Sequence, residues 1–219
     1  MKRTIFIGDI HGCYDEFQLL LEKLKITQFD IIYLTGDMIN KGPKSWKVIK
    51  YLYKHRDQFK AILGNNEFYF FQYYLEGNSL TITEDFIKLK EKFDKHPEIF
   101  KYFRKLPYYV DHSDFLLIHG GLDPSKTLEK HSNEEISTIR LINEKPWYEQ
   151  YTGSKKVIYG HWATNGLNIV KNTIGIDGGC LYGKCLHAYV LESGEIYTQP
   201  ALKLYRDVFI KDDKGEFQN

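Results

Sequence analysis

Asp9 and His11 stand two positions apart in Gly8-Asp9-Ile10-His11-Gly12, directly behind the apolar run Thr4-Ile5-Phe6-Ile7. Alone, such a pair carries little weight, because a single Asp after a strand usually caps a turn or helix. Here the arrangement recurs along the chain. Residues 31–34 precede Gly36-Asp37, residues 61–63 precede Gly64-Asn65-Asn66-Glu67, residues 115–118 precede His119-Gly120-Gly121, and residues 157–159 precede Gly160-His161. Ligands in open α/β sheets bind beyond the carboxyl ends of the strands. Asp9, His11, Asp37, Asn65, His119 and His161 are therefore expected on one rim. An oxygen and nitrogen donor set without thiolate suits manganese, iron, magnesium or zinc. Six donors exceed one tetrahedral zinc site and suit two divalent ions roughly 3.5–4 Å apart, sharing a carboxylate. Manganese is the first choice of metal, with iron, zinc, magnesium or cobalt as alternatives. Such a pair makes a bound water more acidic and stabilises the attacking and leaving oxygens of an in-line displacement.

Positioning these loops requires strands that alternate with helices. Phe17, Leu20, Leu21 and Leu24 fall at helical spacing, and Val48, Ile49, Leu52 and Tyr53 form a second apolar stripe behind Pro43. Helical patterns then dominate from Phe68 to about Leu106: one segment leads to a break at Gly77-Asn78-Ser79, one spans 84–93, and one starts at Pro97. This aromatic-rich stretch, 68–106, holds no obvious metal donor and reads as core and a small helical lid. Strand signals follow at 115–118, 157–159, 173–176, 186–191 and 196–198, with a hairpin turn at Ser193-Gly194. Residues 211–219 read as a polar tail.

Composition bounds the partners. In 219 residues, 30 basic and 29 acidic side chains give no global field toward nucleic acid or an anionic membrane, so phosphate affinity must be local. Cys13, Cys180 and Cys185 form no Cys-x-x-Cys pair and read as reduced thiols. Asp9 interrupts the apolar stretch behind Lys2-Arg3 too early for a signal sequence, and no run is long enough to span a membrane. The expectation is a cytoplasmic protein.

In order, Gly-Asp-Ile-His-Gly, Gly-Asp-Met-Ile-Asn-Lys-Gly, Gly-Asn-Asn-Glu, His-Gly-Gly and Gly-His resemble the motifs of the calcineurin-like metallophosphoesterase superfamily. Within it the match is to the branch of Ser/Thr protein phosphatases and symmetrical diadenosine tetraphosphatases, and it runs from Arg3 to about Pro200. The resemblance implies an α/β fold of two stacked mixed β-sheets flanked by helices, as one domain over residues 1–210. It also implies Asp9, His11 and Asp37 on one ion, with Asp37 bridging to a second held by Asn65, His119 and His161. Gly160-His161-Trp162-Ala163 and residues 176–183 are similar to the tetraphosphatases. The 42-residue interval from His119 to His161 is closer to the compact bacteriophage-type protein phosphatases.

Two amides break the family pattern. Asn66 stands where the family carries the histidine assigned as leaving-group acid, and Asn40 where an Asp orients that histidine. General acid catalysis contributes about 10²–10⁴-fold, and an amide supplies no proton. A serine alkoxide suffers most from that loss, whereas a nucleoside diphosphate or aryl oxide leaves with little help. His55, His96, His112, His131 and His187 are the histidines left unassigned. Lys41 replaces the family's arginine, and Arg140 resembles the second phosphate-contacting arginine. Trp162 and Tyr182 flank ligand loops, as base-pocket or core residues.

The expected function is dinuclear metal-dependent phosphohydrolysis, first of diadenosine tetraphosphate or a related dinucleotide polyphosphate. A compact protein phosphatase is the alternative, and a catalytically impaired nucleotide- or phosphate-binding protein the third reading. The expected partner is a small nucleotide or phosphorylated substrate. General nucleic-acid binding is not expected, although a dinucleotide-capped RNA 5′ end carries the same anhydride.

Overall fold

A computed structural model describes residues 2–77 and 82–207. The polar tail and the Asn78-Ser79 part of the expected break lie outside the described residues. The chain opens with β1 (Thr4–Ile7), α1 (Tyr14–Leu24), β2 (Ile31–Leu34), α2 (Ser45–Lys54) and β3 (Phe59–Ala61). Three helices follow, α3 (Asn65–Glu76), α4 (Glu84–Lys95) and α5 (Pro97–Phe103). The second half contains β4 (Tyr109–Asp111), β5 (Phe115–Ile118), α6 (Asn133–Thr138), β6 (Leu141–Ile142), β7 (Lys145–Pro146) and α7 (Trp147–Gln150). It closes with β8 (Lys156–Tyr159), β9 (Asn168–Val170), β10 (Thr173–Gly175), β11 (Cys185–Val190) and β12 (Ile196–Pro200).

Ten strands form two five-stranded mixed sheets, ordered β12-β11-β1-β2-β3 and β4-β5-β8-β10-β9. Parallel pairing of β1, β2 and β3 in one sheet, and of β5, β8 and β10 in the other, sends their carboxyl ends the same way within each sheet. Alternation along β1 shows how the layers meet. Phe6 joins Phe115, Leu117, Ile158 and Ile176 in a core drawn from both sheets, while Ile5 and Ile7 face the cluster under α1 and α2. Phe6 and Phe115 meet edge to face at 4.8 Å across the layers. All four residues of β5 are buried, which explains its unbroken apolar run.

The stretch 68–106, expected as core and a small helical lid, contributes heavily to the core. Phe70, Phe86, Phe93 and Phe103 are almost fully buried in the same cluster as Ile5 and Ile32. Gly77 ends α3 in a left-handed conformation (φ 68°), and Gly194 (φ 72°) turns β11 into β12. β3 stops at Ala61 rather than Leu63, because its partner β2 ends at Leu34 and the Leu63 N–H donates to Pro107 instead. β4 and β9 carry no strand signal in the sequence reading. Both are three-residue edge strands, too short to show a period. Cys13 and Cys180 are buried free thiols and Cys185 is half-buried. Among the described residues no helix is long and apolar enough to cross a membrane.

Candidate metal centre and active site

The loops after β1, β2, β3, β5 and β8 bring the six candidate donors together. Asp9, His11, Asp37, Asn65 and His161 line one cavity of about 250 Å³, and His119 is fully buried behind it. Donor atoms of Asp9, His11 and Asp37 lie within 4.8 Å of one another, as do those of Asp37, His119 and His161. Asn65 Oδ1 completes the second group, 3.0 Å from His119 Nε2 and 2.9 Å from His161 Nδ1. Two donor groups sharing one carboxylate fit a pair of hard or borderline cations.

Supporting contacts fix the orientation of these side chains. His119 Nδ1–H donates to the Thr35 carbonyl at 2.8 Å, and His11 Nδ1–H to that of Ile39 at 3.2 Å, so each presents Nε2 to the cavity. Asp9 accepts from the Thr35 hydroxyl (2.8 Å) and the His161 backbone N–H (2.9 Å). Close approach requires glycine at the loop bases. A Cβ on Gly160 would sit 2.0 Å from Asp9 Oδ1, and one on Gly64 would sit 2.3 Å from Asp37 Oδ1. His11, Asp37, Asn40, Lys41 and His161 all hold positive φ, a costly conformation that clusters at functional sites.

Glu67 is the structural residue that sequence reasoning left without a role. Fully buried at the start of α3, it accepts from four backbone N–H groups: Asp37 and Gly64 through Oε2, Met38 and Ile39 through Oε1. It thereby ties the second ligand loop to the third. The available signal was its place two residues after Asn65, where a helix begins. Asp177, also left unassigned, is buried in the cavity wall, with Oδ1 accepting from Gly179 N–H at 3.0 Å.

Crowded carboxylates give the site its electrostatics. Burial pushes Asp9 and Asp177 up, and burial with the charge of Asp37 pushes Glu67 up to about 7. Burial opposes charge on His119 as well, but Asp37 and Asp9 outweigh it and raise the imidazole to about 10. For Asp37, burial is overcome by His119 and His11, and its carboxyl falls far below the usual range. His11 and His161 are lowered, chiefly by burial. The centre therefore attracts positive charge.

The two amides of the altered motif are bonded to each other. Asn66 Nδ2 donates to Asp37 Oδ2 at 2.6 Å, and Asn66 Oδ1 accepts from Asn40 Nδ2 at 2.8 Å. Lys41 and Arg140 both reach the cavity. Arg140 lies just beyond α6 rather than within a helix; its Nη2 donates to the His161 carbonyl at 2.8 Å, and its buried Nε has no partner among the described residues. Tyr182 lines the cavity with Tyr69, whereas Trp162 packs 5.4 Å from Tyr148 in a separate core cluster. None of the five unassigned histidines lines it: His112 stacks on Phe115, His131 accepts from Asp123 N–H, and His187 bonds Thr198. His55 and His96 pack against Tyr51 and Trp46.

Known proteins place this arrangement. The model of the calcineurin-like phosphoesterase family matches residues 2–196. A symmetrical bis(5′-nucleosyl)-tetraphosphatase of Vibrio campbellii is 24% identical, with 91% of this chain and 99% of that protein covered. The Chromobacterium violaceum protein of the same name is also 24% identical, over 92% of this chain and 96% of its own. The Vibrio alignment spans 274 positions against 219 residues here, so that relative carries at least 55 residues without a counterpart. A crystal structure provisionally described as a diadenosine tetraphosphatase superposes with a TM-score of 0.76 at 26% identity, covering 91% of this chain and 93% of that one. A cold-active protein-tyrosine phosphatase of a Shewanella species shares the fold at 17% identity (TM-score 0.59, 91% of this chain and 80% of that one). Calcineurin-like phosphoesterases use two divalent metal ions, hydrolyse phosphoester or phosphoanhydride bonds, and share this two-sheet architecture. The chain belongs to the calcineurin-like phosphoesterase family.

Proposed function

We propose that the protein hydrolyses a phosphoanhydride, with diadenosine tetraphosphate or a related dinucleotide polyphosphate as substrate. The observation that carries this reading is the bonded amide pair. Asn66 commits its Nδ2 to Asp37 and its Oδ1 to Asn40, so the position that would protonate a leaving group holds no titratable proton. A nucleoside diphosphate leaves as a weak base and needs none. The names of the relatives agree with this substrate class.

Asp9, His11 and Asp37 are the residues to hold one ion, and Asp37, Asn65, His119 and His161 the other, with manganese the preferred metal. A bound divalent pair supplies charge neutralisation at the phosphoryl oxygens and a more acidic water. Asn65, His119 and His161 would hold the second ion together with Asp37. Lys41 and Arg140 place positive charge in the same cavity, where they meet the remaining phosphate oxygens. Asp177 lines the same cavity without pairing with either cation. Residues 1–210 serve as one catalytic domain, acting on a small nucleotide rather than on nucleic acid at large.

A second reading, hydrolysis of aryl phosphates such as phosphotyrosine, is favoured by the 55 or more residues that the Vibrio relative carries and this chain lacks. The test compares kcat/KM of the manganese-loaded protein on diadenosine tetraphosphate, p-nitrophenyl phosphate and a phosphoserine peptide. The proposal requires the dinucleotide to lead and the phosphoserine peptide to trail by at least 10²-fold, the lower limit of a lost general acid. A lead for the peptide contradicts it.

A further inference from the structure

A second cavity, of about 300 Å³, adjoins the metal cavity and shares Lys41 with it. Its wall runs from Asn40 to Pro43, continues along Thr83–Asp85 and Lys88 at the start of α4, and closes with Arg206. We infer that this outer cavity binds the second half of the substrate, the departing nucleoside diphosphate, with Lys41 at the junction and Arg206 at the outer end. The inference rests on the dinucleotide reading above and deepens it.

Three observations support it. First, the chain fixes Arg206 in place although its side chain is exposed. Glu16, fully buried in α1, accepts from Leu202 N–H (2.9 Å) and the Tyr205 hydroxyl (2.8 Å), and the Leu181 carbonyl accepts from the N–H groups of Tyr205 and Arg206. A buried carboxylate thus pins the segment that presents the guanidinium. Second, two of the three cations lining the outer cavity, Lys41 and Arg206, form no ion pair among the described residues. Among the described residues no carboxylate lies within ion-pair distance of Lys41, Arg140 or Arg206, whereas Lys88 pairs with Glu84 at 2.6 Å. Asp85, the half-buried acid of the wall, is committed to the Ser45 hydroxyl (2.6 Å) and the Asn40 N–H (3.0 Å). Burial lowers the Lys41 pKa, Asp37 and Asp177 raise it, and Arg206 and Arg140 lower it, so these three cations lie within one another's field. Third, Asn40 forms part of the outer wall and bonds Asn66, so the cavity opens on the side where the altered motif stands.

The lining also limits what is recognised. Among the described residues the outer cavity has no aromatic side chain, while Tyr69 and Tyr182 line the inner one. The outer half is therefore held by its phosphates and not by base stacking.

The test measures equilibrium binding to the manganese-loaded full-length protein at fixed free Mn²⁺, using ADP and orthophosphate as probes. Wild-type protein binds ADP more tightly than orthophosphate. In Arg206→Ala the ratio of the two affinities falls about tenfold, and in Lys88→Ala about threefold. An unchanged ratio in both variants overturns the inference. Because binding is read without turnover, a protein that does not cleave diadenosine tetraphosphate but shows the Arg206 effect sinks the substrate proposal alone.

Discussion

Asn40 and Asn66 meet amide to amide, with Asn40 Nδ2 2.8 Å from Asn66 Oδ1. The chain of bonds extends both ways. Asn66 reaches the shared carboxylate of Asp37, and Asn40 Oδ1 accepts from the hydroxyl of Thr83, which itself caps α4. A hydrogen-bonded line therefore runs from the candidate metal centre to the first turn of α4, and none of its three links can lose a proton near neutral pH. In Asn66→His, catalysis of alkyl phosphate hydrolysis should rise relative to p-nitrophenyl phosphate, by up to about 10²-fold. The check is the slope of log kcat/KM against leaving-group pKa: steep in the wild type, shallow in the variant. Equal slopes would show that Asn66 does not stand at the leaving-group position.

Glu67 carries a separate, structural prediction. Its two oxygens satisfy four buried N–H groups in the loops that hold Asp37 and Asn65. Glu67→Gln turns an NH₂ toward two of them and should cost about 3 kcal/mol. Urea unfolding at pH 7 measures it, and a loss below about 1 kcal/mol would mean that the loops hold without the clamp.

The six candidate donors were legible because each sits within four residues of the end of an apolar run, a pattern that survives without knowledge of pairing. The two-sheet arrangement itself came from the resemblance, not from periodicity. Glu67 was not legible as a clamp, since three of its four partners are backbone groups about thirty residues away. The aromatic helices were legible as core, but not where that core lies. Phe70, Phe86 and Phe93 have the spacing of any amphipathic helix, and only tertiary packing shows that they extend the core beneath α2. Trp162 lies beside the candidate ligand His161, yet adjacency in sequence does not set side-chain direction: its ring packs against Tyr148 in the core.

Gly160 tests how tightly the loops must approach. A Cβ there would lie 2.0 Å from Asp9 Oδ1 and 2.9 Å from Thr35 Oγ1. Gly160→Ala should displace Asp9 and weaken Mn²⁺ binding at least tenfold, read by titration calorimetry. Wild-type affinity in this variant would mean that Asp9 is not a ligand.

Acid stability should depend on Asp30, far from the centre. Burial opposes its charge, but Arg3, with Nη2 at 2.7 Å, and the Thr27 N–H at 2.8 Å hold its pKa down to about 2. Because the folded pKa lies below the unfolded value near 3.8, the contribution is present above about pH 4 and is lost as pH falls toward 2. Its size is about 2 kcal/mol. Asp30→Asn should lower stability by that amount at pH 7 and flatten the fall between pH 4 and 2 in urea midpoints. A parallel fall in both proteins would remove Asp30 from the account.

The most direct test is product analysis after the manganese-loaded protein meets diadenosine tetraphosphate, with Asp37→Asn as the control. The account predicts two equivalents of ADP per substrate, lost in the variant. No metal-dependent product, or equal product from Asp37→Asn, would contradict it.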